Sequence, residues 1–285
     1  MTAGPDTIGR MPNAIDAALA TADAWGADHV GLAVVGPDGV IAAHGDIDRR
    51  FRWASLTKLA TAVAILTAVD EGAIDLDEPA GPPGATVRHL LAHASGLPFD
   101  GDSAVTRVES RRVYSNTGFD VLGELLAARD GRPFAASLQR RVLEPIGMIA
   151  TDLVGRPSEG LHGPLRDVVS LAGELLRRRL LQPATAEAMR TVAYPGLKGV
   201  LPGVGSFDPL DWGLGAELRA DKAPHWTGSR NSPATFGHFG GSGTFLWIDP
   251  ALDIALVALT DRDYGPWALR AWPLVSDAVI EALSR

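Results

Sequence analysis

Two apolar hairpins near opposite ends of the chain limit the folds that are open to it. The first, HVGLAVVGPDGVIAAHGD at residues 29–46, has a Pro-Asp-Gly turn between two apolar runs, which is typical of a β-hairpin. The second, GTFLWIDPALDIALVALTD at residues 243–261, turns at Asp249–Pro250. Such apolar strands need neighbouring strands to pair with and other elements to bury their side chains. The simplest assembly is therefore one sheet that is built from both chain ends.

Helix signals fill the middle of the chain. An apolar helix is predicted over residues 55–70 with Gly72 as its stop, and another over 117–131 closes at Gly131, since glycine favours helix C-terminal ends. Further helices are predicted at 12–26, 87–96, 134–147, 167–181, 183–190 and 272–285, and loops over 195–236.

These patterns predict an α/β fold of the α+β type. We expect an antiparallel sheet formed by both chain ends and flanked by helices, with an inserted, mainly helical lobe. The chain is expected to be a single domain over residues 1–285. Its sheet lobe is predicted at about residues 12–60 and 190–285, and its helical lobe at about 61–189.

Composition excludes several classes of function. The 285 residues carry a formal net charge of -8 and no cysteine. A basic stripe is missing, so nucleic acid is not an expected partner, and without cysteine there can be no disulfide, thiolate metal ligand or cysteine nucleophile. No run of about 20 apolar residues predicts a membrane span. The N-terminus lacks a signal-peptide pattern, so a cytoplasmic location is expected, while the oligomeric state stays open.

Ser55 and Lys58, in the stretch FRWASLTKLATA at residues 51–62, are the first candidates for chemistry. Residues three apart on a helix share one face. A neutral lysine can take the proton of a serine nucleophile, and burial among apolar residues lowers a lysine pKa toward that state. The helix start also offers free N–H groups to an oxyanion. On the spacing alone, a serine cap and a solvated lysine are the simpler interpretation.

Two further short motifs could complete such a site. The Tyr-Ser-Asn motif at 114–116 precedes a predicted helix. The hydroxyl of Tyr114 could relay a proton there, and the amide of Asn116 could hold a lysine or a substrate carbonyl. The His-Phe-Gly motif at 238–240 opens an apolar strand, where glycine lets another backbone or a substrate approach closely. Each motif alone also fits a structural role.

Other possible sites have weaker support. The GGSGT stretch at 240–244 nearly matches a nucleophile elbow, but it ends in threonine and a strand follows where the elbow needs a helix. His89 and His93 have the spacing of metal ligands on a helix, but the glutamate of H-E-x-x-H and a third ligand are missing. We interpret them as a buried or capping pair, and we expect neither a metal nor an organic cofactor.

The three motifs, in this order and with these separations, resemble the S-x-x-K, Y-x-N and K-T-G elements of the serine β-lactamase and penicillin-binding-protein superfamily, with the last as H-x-G. The stretches FRWASLTKLATAVAILTAVDEGAIDLDEP, VRHLLAHASGLP, YSNTGFDVLGELL and GHFGGSGTFLWIDPALDIALVALTDR are similar to one branch of it. That branch holds class C β-lactamases, D-alanyl-D-alanine carboxypeptidases and family VIII esterases. The resemblance is weakest between residues 150 and 235.

The resemblance implies a role for each residue of the proton-transfer machinery. Ser55 would attack the acyl carbon and form an acyl-enzyme. Lys58 and Tyr114 would share the proton transfers, and which of them is the base in acylation stays open. Asn116 would orient Lys58 or the acyl side of the substrate, and His238 would stand beside Tyr114.

The resemblance also implies how a substrate would be held. The backbone N–H groups of Ser55 and Gly241 would form an oxyanion hole, and Phe239 and Gly240 would lie beside the substrate. Phe239 departs from the family pattern, in which a Thr or Ser hydroxyl is expected to bind the carboxylate of a penicillin or a D-Ala terminus. An apolar side chain cannot make that bond.

We therefore expect a serine hydrolase that acts on a small-molecule ester or amide, most simply a carboxylesterase on small esters. A β-lactamase or D-alanyl-D-alanine carboxypeptidase is one alternative to this expectation. A penicillin-recognising binding or sensor protein, which is acylated without turnover, is the other.

Overall fold

The computed structural model describes residues 14–284 of the chain. Its strands are, in chain order, β1 (Val30–Gly36), β2 (Gly39–Gly45), β3 (Arg50–Arg52), β4 (Arg112–Val113), β5 (Asp152–Leu153), β6 (Leu161–Pro164), β7 (Gly199–Leu201), β8 (Gly205–Phe207), β9 (Glu217–Leu218), β10 (Phe236–Gly240), β11 (Thr244–Asp249) and β12 (Ile254–Thr260). Its α-helices are α1 (Ala14–Ala20), α2 (Thr57–Asp70), α3 (Val87–Leu91), α4 (Asn116–Asp130), α5 (Phe134–Leu138), α6 (Leu165–Arg177), α7 (Pro183–Ala188) and α8 (Pro266–Leu283). The predicted α+β class is confirmed.

A six-stranded antiparallel sheet forms the centre of the molecule. Its strand order is β2-β1-β12-β11-β10-β9, so the two chain ends meet where β1 pairs with β12. The register there runs from Val30 opposite Thr260 to Val35 opposite Ala255. Both predicted hairpins, β1–β2 and β11–β12, are present. The sheet from both chain ends is therefore confirmed.

Helices cover both faces of this sheet. Side chains alternate along a strand, so Leu32 and Val34 pack into the cluster that contains α1 and α8. Ala33 and Val35 point the other way, into the cluster that contains α2 and α6. Burial on both faces explains why these strands are uninterrupted apolar runs in the sequence.

Three helices predicted in the middle of the chain differ from the observed ones. The helix predicted over 167–181 ends at Arg177, because Arg178 has a φ of 54°. The helix predicted over 87–96 ends at Leu91, because His93 has a φ of 55°, which a right-handed helix cannot contain. The helix predicted over 134–147 divides into α5 and a π-helical turn at Gln139–Leu143.

The terminal helices agree in place with the prediction but differ in length. α1 continues as a 3₁₀ turn to Trp25 and ends at Gly26 in the left-handed conformation, as expected from the glycine. α8 begins at Pro266, before the predicted start at 272. Residues 12, 13 and 285 of the predicted helices lie outside the described part of the chain.

The stretch 195–236 was predicted as loops, but it contains β7, β8 and β9. These strands have only two or three residues each. β7 pairs with β4 from the far side of the sequence, and β9 pairs with β10. Such short strands exist because of their distant partners, so a local window cannot reveal them.

Helix α6 lies within the range that was predicted for the helical lobe, yet it packs against β1 and β12 of the central sheet. The division into two lobes and its boundaries stay a prediction. Within residues 14–284, the helices are too short or too polar to cross a membrane.

Candidate active site

Ser55 lies where β3 leads into α2. It is in a short 3₁₀ turn, Ala54–Leu56, directly before the helix. Ala54 has a φ of 47°, and the left-handed region costs energy for a residue with a side chain. The preceding Trp53 is fully buried, and its indole N–H donates to the Gly163 carbonyl at 3.1 Å. A tightly held, strained turn therefore presents Ser55.

Lys58 lies one turn further along, without solvent exposure. Its Nζ is 3.2 Å from Ser55 Oγ, 2.6 Å from Asn116 Oδ1 and 3.0 Å from the Ser158 carbonyl oxygen. Burial lowers the pKa of Lys58 to about 7, although the negative charge of Asp120 opposes this shift. A large share of this lysine is therefore neutral near pH 7 and can accept a proton.

Tyr114 and Asn116 flank Ser115, which is the residue directly before α4. Ser115 is the N-cap, and its Oγ accepts the Gly118 N–H at 3.0 Å, which is the usual role of serine at this position. Asn116 is then the first helical residue and reaches Lys58, as described above. The Tyr114 hydroxyl is hydrogen-bonded to Ser55, and burial raises the pKa of Tyr114 far above its usual value. The Tyr114 hydroxyl therefore keeps its proton at neutral pH.

His238 reaches the site from β10. Its Nε2 is 3.4 Å from the Tyr114 hydroxyl, and its Nδ1 is 2.6 Å from the Phe239 carbonyl oxygen. A carbonyl only accepts, so Nδ1 donates and the Nε2 lone pair faces Tyr114. Burial, with the nearby charge of Lys58, lowers the pKa of His238 to about 3. This histidine is therefore neutral at neutral pH.

The two glycines that follow Phe239 have different positions. A Cβ at Gly240 would overlap the carbonyl oxygen of Trp53, so this glycine lets β10 pass close to the turn that carries Ser55. Gly241 lines the cleft beside Ser55, whereas Gly240 does not. The packing contact is a reason for glycine at 240 that is separate from substrate binding, and the predicted binding role of Gly240 stays a prediction.

A cleft of about 210 Å³ opens beside Ser55, which is a small volume for a ligand pocket. Its lining is mainly aromatic and apolar and contains neither lysine nor arginine. The lining residues are Ser55, Phe99, Tyr114, Leu201, Pro202, Gly203, Trp212, Glu217, His238, Phe239, Gly241 and Tyr264.

Phe239 is a half-buried part of this wall. Its ring centroid lies 4.9 Å from that of Tyr264 and 5.6 Å from that of Trp226. The Tyr264 hydroxyl in turn donates to the Gly203 carbonyl at 3.1 Å, which ties the opposite rim of the cleft to the same stack. Phe239 therefore faces the cleft and is supported from behind by other aromatic rings.

Several residues of the site were not predicted from the sequence. Ser158 contributes a backbone carbonyl, so its residue type carries no signal. Phe99, Trp212 and Tyr264 line the cleft from irregular segments or their edges. An isolated aromatic residue in a loop is the only signal that they give, and it does not distinguish a cleft wall from a core contact.

His89 and His93 do not converge on a common point. His89 Nδ1 accepts the Thr86 N–H at 3.1 Å, and its Nε2 is 2.8 Å from a Glu109 carboxylate oxygen. His93 is buried, and its Nδ1 accepts the Ser115 N–H at 3.1 Å. One histidine caps a helix and the other is buried, as interpreted. In the described part of the chain, no cluster of three or more His, Cys, Asp or Glu residues could hold a metal ion.

Comparison with known proteins agrees with this geometry. The Beta-lactamase family profile matches residues 20–279, and the chain therefore belongs to that family. A β-lactamase of known structure from Mycobacterium bovis is 49% identical, with a TM-score of 0.92, over 94% of this chain and 100% of that one. EstCE1, a hydrolase with promiscuous acyltransferase activity, shares the fold at 19% identity and a TM-score of 0.78, over 93% of this chain and 97% of its own.

Two curated relatives are more distant. The D-alanyl-D-alanine-carboxypeptidase/endopeptidase AmpH of Escherichia coli is 26% identical over 47% of this chain and 48% of its own, so the chain spans about half of AmpH. The esterase EstB of Burkholderia gladioli is 24% identical over 81% of this chain and 87% of its own. The chain has the β-lactamase fold, and members of this family are serine hydrolases.

Proposed function

We propose that the protein is a carboxylesterase that hydrolyses small, uncharged esters through an acyl-enzyme on Ser55. The lining of the cleft carries this proposal: it holds neither lysine nor arginine, and Phe239 stands in it. A substrate carboxylate would lose its hydration there without gaining a charged partner. A neutral ester has no such cost.

In acylation, Ser55 Oγ attacks the ester carbonyl and its proton passes to neutral Lys58. The pKa of about 7 for Lys58, beside the strongly raised pKa of Tyr114, supports Lys58 as the base. The backbone N–H groups of Ser55 and Gly241 stabilise the oxyanion. Collapse of the intermediate breaks the acyl–oxygen bond of the ester.

The leaving alkoxide takes its proton from Tyr114, which regains one from Lys58. His238 accepts the Tyr114 hydroxyl as a hydrogen-bond donor and so keeps it aligned. Water then attacks the acyl-enzyme and gives its proton to the same groups, and the acid leaves with Ser55 restored.

Turnover of p-nitrophenyl butyrate beside nitrocefin tests the proposal. The missing charge-assisted bond to a carboxylate should favour the neutral ester by roughly 10- to 150-fold in kcat/KM. Ser55→Ala should lose this activity, a fluorophosphonate should label Ser55 as mapped by mass spectrometry, and EDTA should leave turnover unchanged. Labelling elsewhere, or a preference for nitrocefin, would contradict the proposal.

A β-lactamase or D-alanyl-D-alanine carboxypeptidase is the second candidate. The 49% identity to a protein named as a β-lactamase, over the full length of that chain, favours it. Preferred turnover of nitrocefin, or release of D-alanine from a D-Ala-D-Ala peptide, would identify it. A burst of product that equals one acyl group per Ser55, with no turnover after it, would instead identify a binding or sensor protein.

A further inference from the structure

We propose that His93 is a positioning residue that holds the backbone on both sides of Tyr114 and so aims Tyr114 and Asn116 at Lys58 and Ser55. The inference rests on the proposed function, because the residues that it aims are those of the proposed acylation. His93 itself does not line the cleft and therefore has no direct contact with substrate.

His93 accepts hydrogen bonds from the residues directly before and directly after Tyr114. The carbonyl oxygen of His93 accepts the Val113 N–H at 2.9 Å. Its Nδ1 accepts the Ser115 N–H at 3.1 Å. Its ring also packs against the ring of Tyr114, with 4.7 Å between their centroids. The backbone on both sides of Tyr114 is thus hydrogen-bonded to His93, on one side to its carbonyl oxygen and on the other to its side chain.

The same bonds set the direction of Asn116. Ser115 is the N-cap of α4, and Asn116 is the first residue of that helix. Fixing the Ser115 N–H therefore fixes where the helix begins and where the Asn116 amide points. Asn116 Oδ1 is 2.6 Å from Lys58 Nζ, so a shift of this helix start would separate the pair.

Histidine meets two requirements at this position. An acceptor is needed toward the Ser115 N–H, and only a neutral imidazole with its proton on Nε2 offers Nδ1 as that acceptor. Burial holds the pKa of His93 well below its usual range, and a positive charge on the nearby Lys58 lowers it further. The ring therefore stays neutral, and it adds no positive charge that would compete with protonation of Lys58.

The backbone of His93 is strained in a way that fits a positioning role. Its φ of 55° is left-handed, a conformation that glycine adopts freely and that asparagine, aspartate and histidine adopt more often than other residues do. That turn ends α3 and brings the carbonyl and the side chain of one residue to the same side. Strain of this kind persists where the surrounding contacts over-determine it.

A pair of variants separates the acceptor from the ring. In His93→Asn the amide oxygen can replace Nδ1 and the residue tolerates the left-handed φ, so most of the activity should remain. In His93→Phe the ring stays and the acceptor is lost, so kcat should fall by about 10²-fold, the loss that a misplacement of about 1 Å can produce. KM for p-nitrophenyl butyrate should stay within about threefold in both, because His93 does not contact substrate.

The rate at which a fluorophosphonate labels Ser55 gives a second readout that needs no ester turnover. It should follow the same order: wild type, then His93→Asn, then His93→Phe. Rates are normalised to folded protein by near-ultraviolet circular dichroism. If His93→Phe does not fold, His93→Gly replaces it, since glycine adopts the left-handed conformation without an acceptor.

Two outcomes would overturn the positioning role. One is a folded Phe or Gly variant that labels and turns over within about twofold of wild type; the other is an Asn variant as impaired as the Phe variant. Absent ester turnover in wild type, with Ser55 labelling and its dependence on residue 93 intact, would overturn the proposed esterase function alone. Absent labelling of Ser55 in wild type would overturn both.

Discussion

The side chain of Lys58 is buried away from solvent, and this burial lowers its pKa. It lies inside an almost entirely buried helix, where the charged form is disfavoured. Two fixed acceptors, Asn116 Oδ1 and the Ser158 carbonyl, hold its Nζ beside Ser55. The same residue type on the surface would be protonated at neutral pH and could not accept the proton of a serine.

We predict that kcat/KM for p-nitrophenyl butyrate rises with pH through a midpoint near 7. Only neutral Lys58 can accept a proton, and its pKa is about 7, so activity is low below that pH and reaches a plateau above it. A pH–rate profile from about pH 5.5 to about pH 9 measures this. Lys58→Arg is the control: arginine keeps the charge at every pH, and an active Arg variant would rule out Lys58 as the base.

Phe239 is the residue at which we expect specificity to be set. Phe239→Thr should raise kcat/KM for nitrocefin relative to p-nitrophenyl butyrate by at least several-fold, because it places a hydroxyl in the cleft wall where a carboxylate can be bound. Phe239→Leu is the matched control, since it also removes the ring from its contact with Tyr264 but adds no hydroxyl. An equal change of ratio in both variants would mean that lost packing, not the hydroxyl, alters specificity.

At the scale of elements, the short strand β9 is held by a buried charge cluster. The carboxylate of Glu217 accepts from His225 Nε2 at 2.9 Å and from the Trp226 indole N–H at 2.5 Å, and it lies 3.3 Å from Lys222 Nζ. Burial alone would raise the pKa of Glu217, but the charges of His225 and Lys222 outweigh it and lower the pKa to about 2. Glu217 also lines the cleft, so this cluster supports a wall of the site.

We predict that Glu217→Gln lowers the free energy of unfolding at pH 7 by about 3 kcal/mol, because a buried lysine then loses its partner. The folded pKa of Glu217, about 2, lies below its ordinary 4.5. Its stabilisation is therefore complete above pH 4.5 and is lost as the pH falls toward 2. The free energies of unfolding of the wild type and of Glu217→Gln, measured by denaturant titration, should therefore converge as the pH falls over that range.

Glu187→Gln is the control for this prediction. Glu187 pairs with Arg190 at the surface, and loss of an exposed pair should cost less than about 1 kcal/mol. A comparable loss in both variants would show that the Glu217 cluster contributes no more than a surface ion pair does.

Arg112 joins segments that are far apart in the chain. Its buried guanidinium donates to the carbonyl oxygen of Leu210 at 2.6 Å and to that of Ala193 at 2.7 Å. It also donates to the carbonyl of Ala92 and, at 3.1 Å, to that of Tyr194. The side chain of Arg112 in β4 thus connects the residue after α3 with two irregular segments that lie between α7 and β9.

We predict that Arg112→Leu costs at least about 3 kcal/mol of stability, because two buried carbonyl groups and two partly buried ones lose their donor. Arg88→Leu is the control: Arg88 makes a bidentate but largely exposed pair with Asp77, for which less than about 1 kcal/mol is expected. Guanidinium chloride unfolding of the two variants measures the difference. Equal losses would show that Arg112 is not a special link between these segments.

Local patterns in the sequence were enough to predict the central sheet and the helices α2 and α4. Both hairpins were visible because strands buried on two faces are continuous apolar runs, and α2 and α4 were visible through their apolar content and terminal glycines. Ser55, Lys58, Tyr114, Asn116 and His238 were found because short motifs preserve their order even though up to 183 positions separate them. Their assembly follows from strands and helix starts that local signals already locate.

The other residues of the site and the short strands depend on contacts between distant parts of the chain. Ser158 acts through a carbonyl oxygen, Glu217 acts through partners that it meets in space, and His93 acts through the bonds on either side of Tyr114. None of these is a property of residue type or spacing. Short strands such as β7 and β9 likewise form only because a distant strand supplies their hydrogen bonds. Burial, which lowers the pKa of Lys58, exists only once the chain is packed, so the motif located this lysine and the packing of the chain sets its pKa.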